Sequence, residues 1–225
     1  MPVYLYLIIF TTFFPLVLSF DKRVRFVQYW PAFFMAMLPV ATFFLVWDYF
    51  FTAWGVWGFN EEYLIGIHLA NMPIEEMLFF VVVPFACIFI YQCFRYYIPK
   101  DYLQPAAPYI SAVLAIALPI IALFHIGALY TSVTFLLAAA FLVLAQFVFK
   151  VKWMGWFYLA YFVSLVPFLI VNGILTSLPV VWYNNAHNLG IRLYTIPIED
   201  TMYSLLLLLM NVWLYEGIKN SKLKI

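Results

Sequence analysis

Charge is what this sequence has least of. Only 9% of its 225 residues are Asp, Glu, Lys or Arg, against about 25% in an average soluble domain. The formal net charge is +1, so there is no basic field to draw in a nucleic acid. Cysteine is almost missing as well. Cys87 and Cys93 lie six residues apart in one apolar run, and on a helix that spacing turns them to different faces, which argues against a disulfide between them. Neither belongs to a metal-ligand spacing. Walker A, GxGxxG, HExxH, GxSxG and CxxC strings are all lacking, so nucleotide, flavin and zinc-hydrolase chemistry have no support.

What fills the chain instead is apolar: 68% of residues are hydrophobic and mean hydropathy is +1.01. A soluble fold is about 45–50% apolar and could not hide so much greasy surface. The composition predicts an all-α integral membrane bundle, because a bilayer-spanning helix needs roughly 20 apolar residues. Seven such stretches can be marked, at about 3–20, 30–51, 74–97, 108–126, 129–149, 153–175 and 198–218. The first has its basic cluster after it and no A-x-A cleavage site, which predicts an uncleaved span rather than a signal peptide. Lys22, Arg23 and Arg25 follow the first stretch, Arg95 and Lys100 the third, Lys150 and Lys152 the fifth, and Lys219, Lys222 and Lys224 the seventh. With seven spans these ten cations share one side and only Arg192 lies on the other. The positive-inside rule then predicts an outside N-terminus and a cytoplasmic C-terminus.

A repeat runs through the chain at an offset of 124. Pro73-Ile74-Glu75-Glu76 returns as Pro197-Ile198-Glu199-Asp200. The same offset pairs Asp48 with Asn172, Asn60 with Asn184, Gly66 with Gly190, His68 with Arg192 and Tyr91 with Tyr215. The expected organisation is a repeat over 1–100, a linker helix over 101–126 and a second repeat over 127–225, a 3+1+3 plan. One linking span makes the repeats parallel, related by an axis along the membrane normal. Both acidic strings then open helices near one face, each just after a proline. The segments 52–72 and 176–196 before them hold Trp54, Trp57, Phe59, Trp182 and Tyr183; these suit an interfacial belt or a re-entrant cover, and sequence leaves both open.

Ionisable groups inside a membrane are costly and tend to face a bundle interior. The candidates here are Asp48, Glu75, Glu76, Glu199 and Asp200. Acids at helix starts also complement the macrodipole with no further role. Two matched pairs on one face argue for more: crowded carboxyls in a low dielectric cannot all ionise, which leaves a proton donor beside a proton acceptor. Arg192 could hold one acid ionised or merely anchor a lipid phosphate. Aromatic residues make up 22% of the chain; most suit membrane packing, but a few lining a cavity would stabilise a carbocation.

Trp47-Asp48, the run Trp54-Gly55-Val56-Trp57-Gly58-Phe59-Asn60 and Pro73-Ile74-Glu75-Glu76 resemble the first half of a lycopene cyclase domain. Asn172-Gly173-Ile174-Leu175-Thr176, Arg192 and Pro197 through Tyr203 resemble its second half. The resemblance is to the small integral-membrane lycopene cyclases and covers nearly the whole chain. It implies cyclisation of the ψ ends of lycopene to β-ionone rings, giving β-carotene by way of γ-carotene, as an isomerase without a cofactor. Glu75, Glu76, Glu199 and Asp200 would be catalytic, with Asp48, Asn172, Arg192, Asn60, Trp57 and Tyr203 in support. The implied setting is a bacterial or archaeal plasma membrane, with lycopene and lipid as partners and other carotenoid-pathway enzymes as candidates. No metal and no nucleic acid enter. Two rivals remain: a carotenoid hydratase of similar membrane type, which also begins with alkene protonation, and a SWEET-like 3+1+3 transporter.

Overall fold

The computed structural model describes residues 1–222; Lys224 lies outside the described residues. Seven α-helices make up the chain among these residues. They are α1 (Val3–Leu18), α2 (Trp30–Ala53), α3 (Ile74–Tyr97), α4 (Ala107–Phe124), α5 (Leu129–Val143), α6 (Met154–Ser177) and α7 (Glu199–Lys222). Each lies within a few residues of the stretch read from hydropathy. α5 runs on as one π-helical turn, Leu144–Val148. Six of the seven are long and apolar enough to cross a membrane, as in an integral membrane protein; α1 has 16 residues and is shorter. Pro15, Pro39, Pro84, Pro119 and Pro167 sit inside helices, which membrane helices accommodate because neighbours and local adjustments satisfy the freed carbonyls. Large apolar side chains such as Phe10, Val113, Ile116 and Leu123 face outward, each more than 60% exposed. That is the surface lipid would cover.

α1, α3, α5 and α7 all start at one end of the bundle. Tyr4 meets Glu76 there, and Tyr130 and Thr131 meet Asp200 and Glu199. The segments before α3 and α7 fold over this end as short strands. β1 (Trp57–Phe59) pairs antiparallel with β4 (Val181–Tyr183), β2 (His68–Leu69) with β3 (Met72–Pro73), and β5 (Arg192–Leu193) with β6 (Ile196–Pro197).

The offset of 124 recurs in the hydrogen bonds. The N–H of Ile74 donates to Ile67 O at 2.9 Å, and that of Ile198 to Ile191 O at 3.0 Å. Asn60 N–H reaches across to Val180 O, and Asn184 N–H to Val56 O, both at 2.9 Å. Gly66 and Gly190 both take the left-handed backbone, with φ of 81° and 71°, a conformation glycine enters without a Cβ clash. In the β1–β4 ladder Gly58 faces Trp182, its own counterpart at that offset, so an approximate twofold passes between them.

At the opposite end α3 and α7 exchange bonds crosswise. Tyr91 Oη donates to Glu216 Oε1 and Tyr215 Oη to Gln92 Oε1, both at 3.1 Å. Arg95 and Lys219 lie 3.4 and 3.5 Å from the same Glu216 oxygen.

Gly155 shows how tightly the loop after α3 seats on α6. Asp101 Oδ1 accepts from the N–H groups of Leu103 and Gln104, and Oδ2 from that of Trp156 at 2.9 Å. Burial raises the Asp101 carboxyl above its usual range, against these bonds. A Cβ on Gly155 would fall 2.3 Å from the Gln104 backbone nitrogen, which cannot rotate away. Gly155→Ala should therefore destabilise the fold by about 1–3 kcal/mol, the range for overpacking, and lower the amount of protein in the membrane on quantitative immunoblots.

Candidate active site

The site is built from the starts of α1, α3, α5 and α7, the ends of α2 and α6, and the strands above them. Asp48 lies near the end of α2, Glu76 in the first turn of α3, Asn172 late in α6 and Asp200 in the first turn of α7. Their side chains line one cavity of about 50 Å³. The rest of its wall is largely aromatic: Tyr4, Trp57, Phe59, Phe79, Tyr130, Phe168, Tyr183 and Tyr203.

The three acids differ in their hydrogen bonds. Asp200 accepts three: Tyr130 Oη at 2.5 Å and, on its other oxygen, Asn172 Nδ2 at 2.6 Å and Tyr183 Oη at 2.9 Å. Burial, and then the adjacent Asp200, push the Tyr183 phenol well above its ordinary range, so it stays protonated and donates. Glu76 accepts one bond, from Tyr4 Oη at 2.6 Å. Asp48 accepts one, from the Trp57 indole at 2.5 Å, and its Oδ2 is buried without a partner. The ring of Tyr203 packs edge-on to Phe44 and Trp47 with centroids 5.0 and 5.2 Å away. Trp57 meets the Tyr130 ring at 5.1 Å.

The structure brings six of the ten residues singled out in the sequence to this cavity: Glu76, Asp200, Asp48, Asn172, Trp57 and Tyr203. Glu75 and Glu199 point elsewhere. Each is fully buried and ties its helix start to the preceding loop, Glu75 accepting from Ile65 N–H at 2.8 Å and Glu199 from Leu189 N–H at 2.7 Å. Thr131 adds a bond to Glu199 at 2.6 Å. Asn60 caps a short turn by accepting from Glu62 N–H. Arg192 donates to Asn185 and stands over the Tyr183 ring, its guanidinium carbon 5.6 Å from the centroid. It therefore meets the carboxyl cluster only through Tyr183.

Tyr4 and Tyr130 are hydrogen-bonding members that the sequence did not single out, and Tyr183, read there only as an aromatic of a belt or cover, joins them. Tyr4 and Tyr130 do equivalent work for Glu76 and Asp200 but lie 126 apart, so a search at offset 124 passes them by. A tyrosine at the start of the first helix in each half was the signal available.

Among curated proteins and among solved structures, none matches the chain. The family model for lycopene cyclase matches residues 2–94 and 127–218, two stretches that each hold one PIE[ED] string and one of the acids lining the cavity at its helix start. Most of the sequence is covered by that match, and the chain belongs to the lycopene cyclase family.

Proposed function

We propose that this protein is a lycopene β-cyclase that closes rings by proton transfer, with Glu76 as the acid and Asp200 as the base. The observation that carries this reading is the unequal bonding of acids around one aromatic cavity. Three donors converging on Asp200 suit an ionised carboxylate, which only accepts. Glu76 and Asp48, with one donor each, keep an oxygen free to carry a proton. The proton goes from Glu76 to C2 of the terminal alkene, and a tertiary cation forms at C1. The C5=C6 bond attacks C1 and closes the six-membered ring. The cation now at C5 loses the C6 proton to Asp200, giving the β ring. Electrons and protons balance without a reductant. Trp57 and Tyr203 face the cationic intermediates, where an aromatic ring contributes about 0.5–2 kcal/mol when desolvated. Asp48 lines the same cavity as a second acid, and Asn172, donating to Asp200, orients it. Glu75 and Glu199 are positioning residues that fix the helix starts.

The same reading takes residues 1–100 and 127–225 as two parallel three-helix repeats joined by α4, with the carboxyl end outside the cell and the basic end in the cytoplasm. The matched hydrogen bonds at offset 124 support the first statement and the ten-to-one cation count the second.

The test uses membranes equilibrated in deuterium oxide, with protein in excess over lycopene so that every acid has exchanged before it reacts. Each ring closed should carry one deuterium. A product heavier by a molecule of water would show a hydratase. Unchanged lycopene would leave a carrier, and cyclic product without deuterium would overturn the exchangeable acid.

A further inference from the structure

The carboxyl cavity, at about 50 Å³, admits the branched tip of a hydrocarbon and little more. Phe79, Phe168 and Asn172, which wall it on one side, also line a second cavity of about 290 Å³ among α1, α3 and α6. This second space is bounded by Phe10, Phe14, Val83, Phe89 and Pro167. Phe10 and Phe14 on its rim are 62% and 54% exposed, so it opens sideways, towards lipid. It follows α3 from Phe79 to Ile90, roughly 16 Å at 1.5 Å per residue.

We propose that this lateral cavity is the binding site for the unreacted part of a long linear polyene, which lies along α3 and passes its reacting end between Phe79 and Phe168. The proposal rests on the cyclase reading for what happens at that end. Continuity of the two cavities is the first argument. Size is the second: 290 Å³ is at the small end of ligand pockets, about 300–1,000 Å³, so it holds a segment of a long chain while the remainder stays in the bilayer. The third argument separates a polyene from a lipid acyl chain. Both are as apolar as the surrounding lipid, so little is gained from the hydrophobic effect. Selection must come from shape. A conjugated chain is already straight and flat, so it loses little freedom on binding, and it matches the aromatic faces of Phe10, Phe14 and Phe89. A flexible acyl chain has neither advantage.

The experiment purifies the Asp200→Asn protein in detergent from lycopene-accumulating bacteria and measures bound lycopene per protein by its absorbance. Lycopene should copurify. Adding Ala86→Trp, whose indole would enter the lateral cavity, should lower bound lycopene about tenfold or more, a loss of 1.4 kcal/mol per tenfold. Val113→Trp, in a different lipid-facing hollow between α4 and α6, should leave it unchanged. Full lycopene in the Ala86→Trp protein, or phospholipid in its place in the Asp200→Asn protein, would overturn the proposal. If Ala86→Trp does not accumulate, linear dichroism of the Asp200→Asn protein in oriented bilayers decides: the bound polyene should align with the helices, and one lying in the membrane plane would overturn it. Failure of the cyclase reading looks different, because the unsubstituted protein would then leave lycopene uncyclised while the Ala86→Trp loss of pigment persisted.

Discussion

Glu76→Gln and Asp200→Asn should each stop ring formation in lycopene-accumulating bacteria, leaving the cells red while the protein still reaches the membrane. Removing a positioned acid or base costs about 10²–10⁴-fold in rate. Both substitutions keep the shape of the side chain, and the amide oxygen can still accept from Tyr4 or Tyr130. The sharper comparison is with the neighbours. Glu75→Gln keeps an oxygen for the Ile65 N–H and should retain most of its activity, as should Glu199→Gln, which keeps one for Leu189. Pigment analysis by chromatography, normalised to protein by immunoblot, separates the outcomes. Equal loss in all four variants would mean that both acids of each string serve the chemistry, and would sink the division of labour drawn from their geometry.

Glu216→Ala should produce the largest loss of stability. Glu216 is 3% exposed and is the carboxylate that Arg95 and Lys219 share. Removing it leaves Arg95, whose side chain is 27% exposed, and Lys219 without the carboxylate they share; breaking a fully buried pair from one side costs about 3–5 kcal/mol, and the partial exposure of Arg95 puts this loss at the lower end. The Tyr91 hydroxyl loses its acceptor in the same step. Thermal unfolding in detergent should show the drop, and Glu216→Gln, which keeps an acceptor for Tyr91, should fall between the two. If Glu216→Ala unfolds at the native temperature, the cluster is solvated and contributes little.

The helices were legible because a membrane span requires a long apolar run, and little else makes one. α1 is the partial exception, since apolar residues continue past Leu18 where the chain leaves the helix through Ser19 and Phe20. The repeat was legible because Asp48, Asn60, Gly66 and the acidic strings keep one spacing. The facing of each acid was not. Successive residues on a helix differ by about 100°, so whether Glu75 or Glu76 meets the cavity depends on how α3 is rotated against α1, and Tyr4 reveals that only in three dimensions. The 52–72 and 176–196 segments carried the aromatic signal of an interface. Their pairing into a ladder across the approximate twofold depends on backbone bonds, which leave no mark in composition. Arg192 fitted a counter-ion by charge alone, yet β5 holds it over the Tyr183 ring.

The approximate twofold is broken where it matters most, at Asp48 and its counterpart Asn172. In a site with true twofold symmetry, one turnover would leave the proton on the opposite half, and the exchanged state would be an equally good starting point for the next substrate, entering the other way round. On the proposed assignment that shortcut is closed. After each ring closes the proton sits on Asp200, in the half that has an amide where the other half has an acid. Before the next cycle the site must discharge Asp200 and recharge Glu76. On that assignment the pairing of Asp48 with Asn172 gives the two halves a fixed order of work, with a resetting step between turnovers that a symmetric site would not need.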